Sequence, residues 1–532
     1  MKETAAPLAI AAAIALLPSI AKAEAATWIG GTGNWTDAAN WSTGDVPGLT
    51  TNVVIDGDEN AASVVTVSSD VTLAAVCADI AIDAGDALSV YKAKTSSSSS
   101  QTVSLQGATL DNRGTISLSI NSNKKNNDVQ LSATNPSTNH VSGVVNVTGY
   151  NNYSGCDAKF ALPVDGSVNN GEIRILQPLR GGNTAGFQLS DRGRFVNNGL
   201  IELKVTGADS GSAFIHFTYG ASSGSLSMID GTGEIFMNRD GSTEAALTTA
   251  QIYGAKYNDT NVSTHTVTNG PNHTIRGTGS IHTLTLVNAG LVRAEGENGG
   301  MLIRHSSLEM GGKILRNIPG GRMVAAAPGG ITLGENESRE RNAQFINEGL
   351  LEARTGSSIT FAQCLTTSSS KNTKPYSTIL DLSGTLAGGG TFGGKPMRLL
   401  ADATLSPGDL ANTDGTGAST AGTLTFATNL TLSADTTLDF QLGSRKSGVF
   451  DAVVVEGELT LAGTLRLSVL NGAVPSGTYR IFTCAPGQLV GDETSLTVET
   501  VGGLSSPKLF VDAAEGTVDA FFPPQATVFL VQ

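Results

Sequence analysis

Hydrophobic and polar residues alternate along short segments through most of the chain. Apolar side chains occupy every second position in Ile201–Val205 and again in Leu465–Val469. A period of two is typical of β-strands with one buried face, whereas amphipathic helices repeat every 3.6 residues. The pattern therefore predicts many short strands and almost no helix.

A glycine followed by a short apolar strand recurs at a nearly constant spacing. Gly114, Gly143, Gly171 and Gly199 are separated by 29, 28 and 28 residues, and asparagine precedes many such glycines. Further copies of the same pattern are Asn288–Val292 and Asn347–Leu351. A fixed period of about 20–50 residues indicates one unit that buries its apolar face against its neighbours. The repeat predicts a parallel β-solenoid, with a string of antiparallel β-sandwiches as the alternative.

Asparagine and glycine at the repeat corners have a physical interpretation. Both residue types tolerate the left-handed backbone of a sharp turn, which we expect at glycines such as Gly171 and Gly199. In stacked coils, the asparagines can also hydrogen-bond to each other along the axis.

Composition supports this architecture and limits the partners. Charged residues make up 15% of the chain and aromatic residues 5%, while glycine occupies 64 positions, which suits short strands and tight turns. The formal net charge of −14 argues against nucleic acid as a partner, because phosphates require a basic surface.

The first 23 residues have the features of an export signal. Lys2 precedes an apolar stretch from Ala5 to Ile20, and Ala21-Lys22-Ala23 provides a small-x-small cleavage site. A buried alanine-rich helix is the alternative. Since no second apolar run approaches the roughly 20 residues that cross a bilayer, we expect no transmembrane segment in the mature chain. The predicted location is extracellular or at the cell surface, with the periplasm as a further option.

The sequence divides into four predicted segments. Residues 1–23 are the signal peptide, and residues 24–70 form an N-terminal cap with a Trp/Gly motif. Residues 71–448 form the solenoid with projecting loops, and residues 449–532 contain the final repeats and a C-terminal cap. Caps are expected because the strand edges at the ends of a solenoid invite aggregation.

Several motifs resemble those of bacterial surface proteins with autotransporter-passenger-like β-strand repeats. They lie in Trp28–Asp56, Leu405–Thr425 and Phe450–Phe482. The resemblance implies a right-handed parallel β-helix displayed outside the cell, in adhesion or as a spacer. Full-length autotransporters end in a translocator barrel, for which the sequence after the last repeats leaves no room. We therefore expect a separate secretion or anchoring component.

Four short motifs suggest chemistry but lack the context it requires. Ser222 in Gly220–Gly224 matches a nucleophile elbow, yet strands rather than a helix are predicted after it. Gly389–Lys395 is close to a phosphate-binding loop without the following Ser or Thr. Asn412–Gly415 is similar to one motif of β-helical pectin hydrolases, whose other motifs are absent. Asp56–Asn60 departs from a calcium loop at later positions, and a solvated turn is the prediction.

Two groups of side chains are candidates for binding. His265, His273 and His282 form a loose group that we interpret as surface histidines rather than metal ligands. The tryptophans, Trp28, Trp35 and Trp41, can stack on a sugar ring, but packing inside the N-terminal cap explains them without a ligand.

The four cysteines lie far apart in the sequence, at Cys77, Cys156, Cys364 and Cys484. None forms a Cys-x-x-Cys pair, which argues against a zinc ribbon or a thioredoxin-type site. Export permits disulfides, and buried unpaired thiols are the other interpretation.

These observations predict a secreted or surface-displayed, non-catalytic β-solenoid that works as a structural spacer or an adhesin-like protein. We predict no catalytic, cofactor-binding or metal-binding residues and no cofactor. Host or extracellular glycans or proteins are the expected partners. The alternatives are a β-helical polysaccharide hydrolase or lyase and a carbohydrate-binding module.

Overall fold

The computed structural model describes residues 25–523, except for several internal segments. The segments that it does not describe are 1–24, 57–61, 69–72, 93–100, 121–126, 150–156, 178–183, 191, 207–210, 219–225, 241–249, 255–264, 297–299, 305–313, 335–342, 363–364, 367–378, 411–419, 444–448, 471–475 and 524–532.

The described chain winds through successive coils, and each coil adds strands to stacked sheets. Strand Thr115–Ile120, for example, pairs in parallel with Val144–Thr148, and that strand pairs in parallel with Glu172–Gln177. A parallel pair needs a long crossover connection, and here the rest of each coil provides it. The fold is therefore a nearly all-β parallel solenoid. The solenoid prediction is confirmed, and the alternative of antiparallel sandwiches is wrong.

The strands belong to four sheets, the fourth of which replaces the first in the later coils. The first sheet contains Ala25–Thr27, Asn52–Ile55, Asp79–Ile82, Thr109–Asn112, Thr138–Asn139, Val168–Asn169, Gly193–Asn197, Leu226–Asp230, Thr266–Asn269, Thr285–Asn288, Ile314–Asn317, Ala343–Asn347 and Leu365–Thr366. The fourth contains Leu380–Leu382, Met397–Leu399, Leu430–Leu432, Leu459–Thr460 and Leu489–Val490.

The second sheet contains Thr32–Asn34, Val64–Ser68, Ala87–Lys92, Thr115–Ile120, Val144–Thr148, Glu172–Gln177, Leu200–Thr206, Glu234–Asp240, Thr274–Gly277, Leu291–Ala294, Arg322–Ala325, Leu350–Ala353, Thr385–Gly388, Thr404–Pro407, Thr437–Leu442, Gly463–Val469 and Leu496–Thr500. The third contains Leu73–Val76, Gln101–Gly107, Asn127–Ala133, Asp157–Pro163, Thr184–Ser190, Ser212–Thr218, Ala250–Gly254, Gly279–His282, Met301–Ile303, Ile331–Leu333, Ser358–Phe361, Thr391–Gly393, Thr423–Ala427, Ala452–Val455, Gly477–Cys484, Lys508–Asp512 and Thr517–Phe522. Two short 3-10 helices, Ala38–Asn40 and Glu493–Ser495, complete the regular structure of the described residues.

The core is a stack of inward-facing apolar side chains of similar size. In the second sheet Ile116 lies opposite Val145, which is followed in the next coils by Ile173 and Ile201. All four are almost completely buried. Full burial of such a side chain contributes about 1.5–3 kcal/mol, so repeating it in each coil makes the stack the main source of stability.

Coil length varies more than the predicted period. Asn139 and Asn169 occupy the same position in adjacent coils 30 residues apart, whereas Asn269 and Asn288 are only 19 residues apart. Strand positions are kept because the core requires them, and the difference in length falls in the connections between strands. The spacing of 28–29 residues holds only in part of the chain.

The corner glycines are required because consecutive coils lie close together, not because the backbone is left-handed there. The φ angles of Gly171 and Gly199 lie outside the left-handed region, so that expectation is wrong. A Cβ atom on Gly199 would overlap the carbonyl oxygen of Gly171 in the preceding coil, and one on Gly171 would overlap that of Gly143. The corners are glycine because consecutive coils approach each other too closely there for a side chain.

Buried asparagines form hydrogen-bonded ladders along the axis, as predicted. The amide Nδ2 of Asn112 donates to Oδ1 of Asn139 at 2.7 Å, and Asn139 donates in the same way to Asn169 at 2.7 Å. Asn169 continues to Asn197 at 2.8 Å. A second ladder contains Asn269, Asn288, Asn317 and Asn347. The ladders satisfy polar groups in the core, where an unpaired amide would be costly.

The two ends of the described chain differ from its middle. Near the start, Trp28 and Trp35 both pack edge-to-face on Trp41, with ring centroids 4.9 and 5.0 Å away. At the other end, Thr517–Phe522 pairs antiparallel with both Gly477–Cys484 and Lys508–Asp512. The tryptophans and this hairpin lie where the sequence predicts caps.

Candidate functional site

The outward face of the third sheet carries an aromatic cluster consisting of Phe214, His216, Tyr253 and His282. Alternation in strand Ser212–Thr218 directs Phe214 and His216 away from the core. His216 then pairs in register with Tyr253, and Tyr253 with His282, so that the parallel stack aligns three rings along the axis.

The rings of this cluster contact one another closely. The centroids of His216 and Tyr253 are 4.4 Å apart with an interplanar angle of 20°, and those of Tyr253 and His282 are 5.5 Å apart with an angle of 7°. Phe214 packs against Tyr253 at 5.3 Å. Aromatic pairs in such arrangements contribute about 0.5–1.5 kcal/mol beyond the burial of their area, which makes the cluster a rigid surface.

A glycine makes room for the cluster. The ring of Phe214 lies over Gly186 of the preceding coil, and a Cβ atom on Gly186 would overlap that ring. Phe214 is only 3% exposed although it faces outward. The outer side of the third sheet is therefore packed at this place, while His216, Tyr253 and His282 keep partial exposure.

Burial keeps the rings of His216 and Tyr253 uncharged. Desolvation, with a smaller effect of the Lys159 charge, lowers the pKa of His216 to about 4. Desolvation together with the Asp157 charge raises the pKa of Tyr253 to about 12. Lys159 and Asp157 form their own ion pair, with Nζ and Oδ2 2.9 Å apart. At neutral pH the rings of His216 and Tyr253 are therefore polar but uncharged.

The last ring of the cluster is positioned by a strained neighbour. Nδ1 of His282 lies 2.8 Å from the Thr283 hydroxyl, and its Nε2 lies 3.3 Å from Oε1 of Gln251. Among the described residues, Thr283 is the one non-glycine residue with a left-handed backbone, at φ 57°. Such a conformation is unfavourable for a β-branched residue, and strain of this kind is concentrated at functional sites.

These features make the cluster a candidate binding surface. Aromatic rings with a few oriented polar groups are typical of small-molecule and sugar sites. Nε2 of His216 is buried and has no hydrogen-bond partner among the described residues, so the cluster contains one unsatisfied polar atom. The sequence signal for this surface is Phe214, an apolar residue at an outward position of its strand.

Two buried carboxylates, Glu352 and Asp451, and the half-buried Asp409 form a second group that sequence reasoning missed. Glu352 is completely buried, and burial raises its pKa despite the opposing charge of Arg354. Oε1 of Glu352 accepts a bond from the Leu410 amide at 3.0 Å and one from Arg354 at 3.1 Å. Asp409 accepts bonds from the amides of Thr355 and Gly389 at 3.0 and 2.8 Å. These side chains hold the turn at Asp409 and Leu410 against its neighbouring coils.

Asp451 has a similar structural environment. Its two oxygens accept bonds from the amides of Gly422 and Gln441 at 2.9 and 2.7 Å. Burial raises its pKa to about 7, although both of these hydrogen bonds oppose the shift. The carboxylate fixes the backbone in the same way as Asp409.

The structure changes the interpretation of the three histidines and shows how the three tryptophans are packed. His265 and His273 are completely buried, so their assignment as surface histidines is wrong, whereas His282 is partly exposed. The three tryptophans are 1% exposed and belong to the core, and their flat faces are therefore covered in this structure.

The sequence motifs have separate outcomes. Gly389 and Gly390 form a turn between strands Thr385–Gly388 and Thr391–Gly393, which is not the strand-to-helix context of a phosphate-binding loop. Ser222, Asn412–Gly415 and most of Asp56–Asn60 lie outside the described residues.

Cys77 and Cys484 are buried free thiols, and the other two cysteines lie outside the described residues. Burial, together with the nearby Asp79 charge, raises the pKa of Cys77 to about 12, which makes its thiol unreactive at neutral pH.

Within the described part of the chain, no three His, Cys, Asp or Glu side chains are grouped as metal ligands would be. The same residues include no helix long and apolar enough to span a bilayer. The fold and the aromatic cluster define this protein as a parallel β-solenoid with a candidate binding surface. No known family profile matches the chain, and no curated protein is significantly similar to it.

Proposed function

We propose that this chain is an exported, non-catalytic β-solenoid that works as a spacer and binds extracellular glycan through the aromatic cluster, in an adhesin-like manner. The observation that carries the proposal is the position of this cluster on the outward face of a continuous stack of coils. A stack with a filled core is stiff, and it holds an outward surface at a constant distance from either end.

Neutral sugar is the ligand class that best fits the cluster. The rings of His216 and Tyr253 are uncharged, and the nearby Lys159 and Asp157 neutralise each other in an ion pair. An ionic ligand would therefore meet little net charge here. Tyr253 is stacked between His216 and His282, so the cluster offers the polar edges of its rings to sugar hydroxyls rather than a free aromatic face. The net charge of −14 opposes polyanions such as nucleic acids or polyuronates.

A polysaccharide hydrolase or lyase is the second candidate, and the buried carboxylates are the observation in its favour. A glycosidase needs two carboxyl groups placed around the scissile bond. Asp409 and Asp451 use their oxygens to bind backbone amides, and Glu352 does so with one of its two. This pattern favours a structural role for these side chains.

Binding to a panel of neutral and acidic polysaccharides tests both functions. We expect residues 24–532 to bind neutral members of the panel and to release no new reducing ends or unsaturated products. Tyr253→Ala should weaken binding about tenfold, because it removes the central ring of the cluster. Gln130→Ala, a change at another outward position of the same sheet, is the matched control.

Equal binding by the wild type and Tyr253→Ala, or no binding to any member of the panel, would contradict the proposed surface. Turnover that disappears when Glu352 is replaced by Gln would instead establish the enzyme. Circular dichroism of each variant checks that the solenoid is intact.

Export is a separate part of the proposal and rests on the pattern of residues 1–23. We expect mass spectrometry of the protein recovered from outside the cytoplasm to find Glu24, or a residue within two positions of it, at the N-terminus. A chain that retains Met1 in the extracellular fraction would exclude cleavage at this site.

A further inference from the structure

The two asparagine ladders meet at a joint in the middle of the solenoid. The first ladder ends at Asn197 and the second begins at Asn269. The coil between them contributes strand Leu226–Asp230, in which Asp230 pairs with Val196, the neighbour of Asn197. The next residue is Gly231, which has no side chain to continue the ladder.

His273 fills this gap. Its Nε2 lies 3.0 Å from Nδ2 of Asn197, and its Nδ1 lies 2.7 Å from Oδ1 of Asn269. An amide Nδ2 is a donor only, so Nε2 must accept, and Nδ1 must carry the proton that is donated to Asn269. The completely buried imidazole is therefore neutral and links the two ladders.

The amides on either side cannot reverse to accommodate a charged imidazole. Nδ2 of Asn197 also donates to the Glu234 carbonyl at 3.2 Å, and Nδ2 of Asn269 donates to the Leu291 carbonyl at 3.3 Å. Turning either amide would place its Oδ1 against a carbonyl oxygen. A protonated His273 would therefore direct its Nε2–H group at an N–H group of Asn197, and neither of these two facing hydrogens would have an acceptor.

Charges near the joint provide little compensation for a proton. Asp230 and Glu234 act on His273 through space. Each of them is already paired with an arginine, Asp230 with Arg194 at 2.8 Å and Glu234 with Arg276 at 2.6 Å. Burial therefore dominates and lowers the pKa of His273 to about 4, against the opposing effect of the two carboxylates.

We propose that the joint at His273 is an acid-sensitive hinge in the solenoid. At mildly acidic pH, the imidazole is protonated when the joint opens, and strand Leu226–Asp230 then separates from its neighbours Gly193–Asn197 and Thr266–Asn269, while the flanking coils stay stacked. The device does not depend on which ligand the aromatic cluster binds, although two strands of that cluster, Ser212–Thr218 and Ala250–Gly254, belong to the same coils.

Proton linkage gives the direction and size of the effect. When the joint is open and the imidazole is hydrated, the pKa of His273 is near 6.5. When the joint is closed, its pKa is about 4. The closed joint therefore has its full stability above pH 6.5 and loses it as the pH falls toward 4. Protonation of His273 should by itself make the opening equilibrium about 70-fold more favourable at pH 4.5 than at pH 7.5. His265 adds to this effect, because it lies 3.1 Å from the Ser227 hydroxyl of the same strand pair and burial also lowers its pKa to about 4.

Hydrogen exchange measured by mass spectrometry, with correction for the intrinsic effect of pH, tests the hinge. Peptides containing Gly193–Asn197 and Thr266–Asn269 should lose at least about 70-fold in protection between pH 7.5 and pH 4.5. Peptides around Thr115–Ile120, a strand without titratable residues that lies away from the joint, should change much less. In the variant His273→Gln, which retains an amide but cannot be protonated, the acid-induced loss of protection should be about 70-fold smaller than in the wild type.

His140→Gln is the matched control, because His140 is a partly exposed imidazole paired with Asp111 outside the ladder. It should keep the acid response of the wild type. An unchanged protection at the joint, or the same acid response in His273→Gln, would overturn the proposal.

A measurement on the unaltered protein keeps the test decisive if His273→Gln does not fold. Exchange of the imidazole C2 hydrogen, followed by mass spectrometry, reports the pKa of individual histidines. The hinge requires His273 to titrate well below the ordinary 6.5 of histidine, and titration at or above pH 6 would refute it.

Discussion

Gly199→Ala is expected to lower the free energy of unfolding by about 3 kcal/mol, near the upper end of what overpacking costs. The added methyl group would overlap the carbonyl oxygen of Gly171 in the preceding coil. Because this neighbour is backbone, two coils must separate to make room. Denaturant unfolding followed by circular dichroism measures the change, and hydrogen exchange shows whether the loss is centred on this coil.

Gly48→Ala is the control for this substitution. A Cβ atom on Gly48 would meet nothing within 4 Å, so the exchange should be neutral or slightly stabilising, since alanine reduces the entropy of the unfolded chain. If both variants were equally stable, the coils would be farther apart at their corners than the structure places them.

Asn169→Ala should cost about 2–3 kcal/mol of unfolding free energy, because it interrupts the first ladder in a place that water does not reach. Oδ1 of Asn197 would lose the amide that donates to it at 2.8 Å, and Nδ2 of Asn139 would lose its acceptor at 2.7 Å. The melting temperature and the denaturant midpoint of the variant should both decrease.

The neighbouring residue provides a close comparison. Asn170 is partly exposed and accepts a single bond from Asn198 at 2.9 Å. Asn170→Ala should therefore cost less than about 1 kcal/mol. An equal loss in the two variants would mean that the ladder makes no special contribution to the stack.

The two substitutions also distinguish features that look alike in the sequence. Asn169 and Asn170 are adjacent asparagines before the same repeat glycine, yet one is buried in the ladder and the other faces outward. The alternation of a strand predicts that adjacent residues point to opposite sides. Only the packing of the coils shows which of the two enters the core.

Several elements of the fold follow from local sequence because they depend on short-range geometry. The period-two pattern of Ile201–Val205 and the repeated glycines from Gly114 to Gly199 predicted strands and a stacked repeat, and both are confirmed. The asparagine ladder could also be predicted, since identical residues at one position of a parallel stack lie next to each other. The left-handed interpretation of Gly171 and Gly199 failed, because the space at a corner is set by the preceding coil.

The candidate site could not be derived in this way, because its residues are distant in the chain. His216 and Tyr253 become neighbours only through the register of two coils whose connecting segments differ in length from those of other coils. The burial of His273 has the same origin, since it occupies a gap left by Gly231 in another coil. The sequence by itself determined the strands, their alternation and the repeated stacking, all of which are local or periodic properties. The tertiary structure decided which outward side chains meet and which polar groups are buried, because both depend on the register between coils.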